Sequence, residues 1–220
     1  MGVKRWHSWS GAIGLALVFV ALFLPGPPPR AQDTSAALTA NLVEHRTALV
    51  TGVLVAAAGV VALLWFFGVL AERLASASGH LGYAYAAVAG GVVGLLLIFI
   101  GMLLFSGTAF RAATMGDQAV VRATVDTGNM LIEAGKYGFA VLIAATCAAS
   151  TDGRLLSRRN SWMGLVSAVI LVVSTVPPFV TDHGVGEFGG GIDVLGGIPG
   201  FLWIIVLSVQ LARRSDPACS

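Results

Sequence analysis

Six stretches of the chain are apolar for long enough to cross a lipid bilayer, and no other feature limits its folding as tightly. They cover residues 9–24, 48–70, 83–105, 130–149, 162–179 and 194–211. A spanning helix needs about 20 predominantly apolar residues, with about 17 as the short limit. The middle segments meet this easily. The first is marginal, and the sixth is interrupted by Gly196, Gly197, Pro199 and Gly200. Charge points the same way: only 11% of the 220 residues are charged and mean hydropathy is +0.85, whereas an average soluble domain carries about 25% charge. A chain with so few charges cannot wet a globular surface of this size, so lipid is its solvent over much of its length. The expected fold class is all-α, a polytopic transmembrane bundle of six spanning helices. Residues 1–220 form a single membrane domain with no soluble domain and no internal repeat.

The first segment also reads as a secretory signal, because Lys4 and Arg5 precede an apolar run. That run ends in Pro25-Gly26-Pro27-Pro28-Pro29-Arg30, which offers no small-x-small cleavage pattern. It is expected to be retained as the first span. Orientation follows from the loop cations. With the N-terminus cytoplasmic, the inner segments hold Lys4, Arg5, Arg73, Arg154, Arg158, Arg159, Arg213 and Arg214, and the outer ones hold Arg30, Arg46, Arg111 and Arg122. Asp33, Glu44, Asp117, Asp126, Asp182, Glu187 and Asp193 all fall outside. The expectation is a multi-pass protein of the cell inner (plasma) membrane with both termini cytoplasmic. The bilayer is its first partner, and a homo-oligomer or a partner membrane protein is an open alternative. Arg154, Arg158 and Arg159 form an orientation signal and a contact for anionic lipid head groups. The small net charge of +2 signals no nucleic-acid partner. Cys147 and Cys219 both fall on the reducing side, which argues against a structural disulfide.

Between the spans, residues 27–40 are Pro- and Ala-rich and read as an extended outer stretch, with Thr39 or Asn41 capping the second span. Residues 76–82 read as an inner turn and 106–117 as an outer loop. Asp117 is a suitable cap for a long fourth helix that starts near residue 118, well before its span. Residues 181–193 read as an acidic, Gly-rich outer loop, and Pro177-Pro178 as the end of the fifth helix.

Several of these features together resemble a known kind of protein. Asn41-Leu42-Val43-Glu44-His45-Arg46 leads into a second helix that passes through Trp65-Phe66-Phe67-Gly68 and closes on Glu72-Arg73-Leu74. A fourth helix follows with Asp126-Thr127-Gly128. In this the chain is similar to small bacterial integral membrane proteins of about six helices that are grouped under domains of unknown function. The resemblance covers most of the chain. It implies fold and location and carries over no activity and no functional residue.

The constellation with the most chemistry lies on the fourth helix. Arg122, Asp126, Asn129, Glu133, Lys136 and Tyr137 follow one another in steps of four, three, four, three and one, which places them within an arc of about 100°. Ala140, Ala144 and Cys147 continue the same face as small residues. A polar stripe that grades into a small-residue stripe should face another helix, so Phe139, Leu142 and Thr146 opposite are expected to be less enclosed. Ionisable residues inside a span are candidates for proton relays or substrate contacts. The alternative is a neutralised structural pair: Glu133 and Lys136 stand at i, i+3, and Lys136 can lean toward the outer surface. Glu44, His45 and Arg46 are weaker candidates that could meet this stripe from the second helix.

No cofactor or metal is expected. Asp182, His183, Glu187 and Asp193 match no metal-ligand spacing, and His7, His45, His80 and His183 all lie outside the spans, which removes an axial haem pair. The sequence contains no zinc-protease, nucleophile-elbow or phosphate-loop motif. Three classes of function remain: a structural or accessory membrane protein, a small-molecule or proton-coupled transporter or channel subunit using the polar face of the fourth helix, and a membrane enzyme or cofactor carrier.

Overall fold

The computed structural model describes residues 5–26, 33–111, 117–150, 155–176 and 191–214, with side-chain detail beginning at His7 and, in the last segment, at Leu195. Seven α-helices form among the described residues: α1 (Arg5–Phe23), α2 (Ser35–Glu44), α3 (Arg46–Ser78), α4 (Leu81–Arg111), α5 (Gln118–Ala148), α6 (Arg158–Ser174) and α7 (Gly191–Arg214). Four stretches are long and apolar enough to cross a membrane: Arg46–Ser78, Leu81–Arg111, Gln118–Ala148 and Leu195–Arg213. The apolar part of α1 is shorter, Trp9–Phe23. α6 has 17 residues and carries Arg158, Arg159 and Asn160 in its first turn.

The six longer helices close a ring. α1 packs on α3, α3 on α4, α4 on α5, α5 on α6, α6 on α7, and α7 returns to α1. Neighbours run antiparallel, as the residues that meet across each seam require. Gly14 lies against Gly59 and Ala21 against Gly52 between α1 and α3, and Gly90 lies against Gly138 and Gly101 against Gly128 between α4 and α5. On the return seam Ser208 Oγ accepts the Ala12 amide at 3.0 Å, and the Phe19 and Phe201 rings stand 6.1 Å apart. An even number of alternating helices brings the start of α1 and the end of α7 to the same end of the bundle.

Among the described residues the interior of the ring is apolar and buried. One continuous apolar cluster draws buried side chains from all six helices, among them Leu15, Leu63, Leu95, Leu142, Leu171 and Ile204. Phe201 reaches inward far enough to meet Phe139 of α5 at 6.2 Å as well as Phe19 of α1. The outward faces carry Leu54, Val61, Trp65, Val93, Ile100, Val169 and Val173, all exposed. An apolar exterior around an apolar interior suits a hydrocarbon surrounding.

Several boundaries differ from the sequence reading. Residues 35–40, expected to be extended, are helical and form the start of α2: Thr34 Oγ1 accepts the Ala37 amide at 3.2 Å and caps α2, while Thr39 and Asn41 lie inside that helix. Leu38 and Leu42 supply the reason, since they bury against Ala109, Val121 and Val125 in a second small core between the C-terminal end of α4 and the N-terminal end of α5. The inner turn shrinks to Gly79 and His80. Gly79 sits at φ 69, where a Cβ is strained, and that single residue reverses the chain. α4 runs on to Arg111, so the first half of the expected 106–117 loop is helix. α6 begins four residues before the expected span and ends at Ser174, capped by Thr175; Pro177 and Pro178 lie outside the described residues. α7 begins at Gly191, within the expected loop, and continues through Pro199. Proline removes only one backbone bond there, and Gly196 and Gly200 bring α7 against Ser174 and Leu171 of α6. The residues that read as breaks are where the two helices pack.

Candidate functional site: a buried ion pair on α5

Asp117 opens α5 as expected, its Oδ1 accepting the Ala119 amide at 2.9 Å. Thirty-one residues extend about 46 Å at 1.5 Å each, more than the roughly 30 Å of a hydrocarbon core. The polar stripe starts near the exposed N-terminal end of the helix and runs toward its buried part. Arg122 donates from Nη1 to the Asp33 carbonyl at 2.9 Å and lies 3.8 Å from Asp126, with both side chains around two-fifths exposed. An ion pair so open to solvent adds little stability. The Asp33 contact ties the segment before α2 to α5. Asn129, further along, is half-buried.

Glu133 and Lys136 form the bottom of the stripe. Lys136 Nζ donates to Glu133 Oε2 at 2.8 Å, and the side chains are 10% and 3% exposed respectively. Both groups engage further partners as well. The i, i+3 spacing brings them together and the N-terminal lean of helical side chains carries the ammonium up toward the carboxylate. Tyr137, next in sequence, points outward, and its hydroxyl shares a 2.7 Å hydrogen bond with Thr175 Oγ1 at the end of α6. The six stripe residues thus share one face, yet they sample three environments, from solvent through a buried pair to an interhelical bond.

The small-residue stripe below is only partly as expected. Ala140 and Cys147 are buried and Ala144 is half-buried, but Phe139, Leu142 and Thr146, expected to be less enclosed, are buried as well. The reason is position: α5 lies between α4 and α6 and also touches α7, so only a strip including Tyr137 and Val141 is exposed. Thr146 satisfies its hydroxyl within its own helix, on the Leu142 carbonyl at 2.7 Å. What brings α4 so close is a row of glycines: Gly90-x-x-x-Gly94 reads in the sequence as a small-xxx-small pair that permits close helix contact, and its partners on α5 are Gly135 and Gly138. A Cβ on Gly138 would collide with the backbone of Gly94 and come within 2.6 Å of the Gly90 carbonyl, and one on Gly135 would lie 2.7 Å from the Gly94 carbonyl. The available signal was a matched seven-residue step, Gly94 to Gly101 in one helix and Gly128 to Gly135 in the other.

The weaker candidates stand elsewhere. His45 Nδ1 lies 3.0 Å from the Asn41 carbonyl, Arg46 stacks over the Phe110 ring at 4.0 Å, and Glu44 is exposed. Those contacts run to α2 and α4, and the stripe is met by Asp33 instead. Asp182, His183 and Glu187 lie outside the described residues, as do Arg154 and Cys219. Among the described residues there is no group of three metal-ligating side chains. Cys147 is a buried free thiol beside Gly164, and Arg158 and Arg159 are exposed at the start of α6. Comparison with protein-family models, with curated proteins and with solved structures gave no match.

Proposed function

We propose that this chain is a six-pass protein of a bacterial inner membrane, with both termini cytoplasmic and a structural or accessory role. The alternating antiparallel ring supports six crossings. α1 lies along α3 and α7, and α6 along α5 and α7, so the two shorter helices share the depth of helices long enough to span. Exposed Arg158 and Arg159 then fall at the inner surface, where anionic head groups are their natural contact. The observation that carries the structural role is the apolar interior among the described residues: Phe66, Leu142, Ile143, Ile204 and Leu207 are fully buried, and they pack hydrocarbon on hydrocarbon where a carrier would place polar side chains. In that setting Glu133 and Lys136 neutralise each other so that α5 can keep its polar stripe within the bundle.

A second reading, a transporter or channel subunit, draws on the same pair, because ionisable groups inside a span commonly mark ion or proton pathways. Three variants separate the two. For a structural pair, Glu133→Gln and Lys136→Met each lower the folded yield, since each removes the opposite charge that neutralises the other inside the bundle; an ionised side chain costs about 2.5–3.5 kcal/mol at the membrane centre and less toward the interface. The double variant recovers most of it. Normal folding of all three together with loss of a transport or growth phenotype supports the transporter reading.

A further inference from the structure

Where α1 begins, it leaves part of α3 uncovered, and His7, Leu64, Trp65, Gly68, Val69 and Glu72 line an open groove of about 390 Å³. Gly68 makes the gap: a Cβ there would meet nothing within 4 Å. The His7 and Trp65 rings meet edge to face at 5.5 Å along one wall. Leu64 and Val69 present hydrocarbon, and the exposed carboxylate of Glu72 stands at the mouth, one helical turn beyond Gly68.

The position of that carboxylate is unusual for this molecule. The antiparallel ring puts Glu72 at the end that also holds Arg73, Arg158, Arg159 and Arg213. Among the described residues it is the one acid there. The apolar run 48–70 stops just short of it, which sets Glu72 at headgroup depth and Leu64 at acyl-chain depth. We propose that the groove seats a phospholipid carrying a primary ammonium, an ethanolamine head group. The acyl chain lies along Leu64 and Val69, the phosphate turns toward the basic end of the bundle, and the ammonium sits against Glu72. A glycerol head group offers no cation to the carboxylate and places only its phosphate charge nearby. The proposal rests on the six-pass reading, which assigns this end of α3 to the inner leaflet.

The test is native mass spectrometry of the full chain extracted from membranes, titrated with phosphatidylethanolamine and phosphatidylglycerol of identical acyl chains. The wild type should retain the ethanolamine lipid with about fivefold preference, the scale of one modest charge contact. Glu72→Gln should bring the ratio to about one, and Gly68→Leu, which fills the groove, should lower retention of both lipids. Equal retention by the wild type, a preference for the glycerol lipid, or an unchanged preference in Glu72→Gln overturns the proposal. So does a dimer that Gly68→Leu abolishes, since the occupant is then a second copy. Failure of the orientation registers separately, in the side from which a label at His80→Cys reacts, and an ethanolamine preference surviving it moves the site to the other leaflet.

Discussion

Adding one methyl group to Gly138 should destabilise the bundle, whereas the same change at Gly68 should not. A Cβ on Gly138 points into the backbone of Gly94 and lies 2.6 Å from the Gly90 carbonyl. Backbone cannot swing aside as a side-chain tip can, so α4 and α5 must separate by several tenths of an ångström along a seam that also contains Gly101, Gly128 and Gly135. Overpacking of this kind costs about 1–3 kcal/mol, against a gain of at most about 1 kcal/mol from replacing glycine inside a helix. At Gly68 no atom lies within 4 Å of the added carbon, and only the gain remains. Thermal unfolding of the detergent-solubilised protein checks both. At about 2–4 °C per kcal/mol for a chain of this size, Gly138→Ala should lower Tm by several degrees and Gly68→Ala should hold or raise it. A Gly138→Ala protein as stable as the wild type would refute the close α4–α5 seam and the burial assigned to α5.

Further outcomes follow from other contacts. Tyr137→Phe and Thr175→Val should each cost about 0.6 kcal/mol, the average for an interhelical hydrogen bond in lipid, and the double variant should cost no more than the larger single one; additive losses would show that the two hydroxyls do not bond to each other. Ile204→Ala removes a fully buried side chain from the interior and should cost about 2–5 kcal/mol, whereas Val169→Ala on the exposed face of α6 should change Tm little; equal effects would contradict the buried apolar interior. Leu38→Asp should detach α2 from Ala109, Val121 and Val125, seen as faster protease cleavage near residue 34 with the rest of the bundle intact.

Much of the fold was legible because its cause is local. Long apolar runs read as helices on composition alone, Asp117 as a cap, and Glu133 with Lys136 as an i, i+3 pair, since each needs only neighbouring residues. The rest depended on partners far away in the chain. α2 has ten residues of moderate polarity and is helical because Leu38 and Leu42 find a core built by α4 and α5. Gly128, Gly135 and Gly138 look like weak points in α5 until α4 is set beside them. Phe139, Leu142 and Thr146 read as an open face only if α5 has one neighbour, and it packs on α2, α4, α6 and α7. The bond from Arg122 to the Asp33 carbonyl joins residues 89 positions apart, and no spacing announces it.

The account turns on whether α1 and α6 cross the membrane with the other four. Single-cysteine labelling in intact cells decides this, in a background with Cys147→Ala and Cys219→Ser. Labels at Gly2→Cys, His80→Cys and Ser157→Cys should react with an impermeant reagent only after the cells are opened, and labels at Thr34→Cys, Asp117→Cys and Val176→Cys should react from outside. Gly2→Cys and Thr34→Cys reacting from the same side would remove α1 as a span. Ser157→Cys and Val176→Cys reacting from the same side would remove α6, and either result would contradict the six-pass ring.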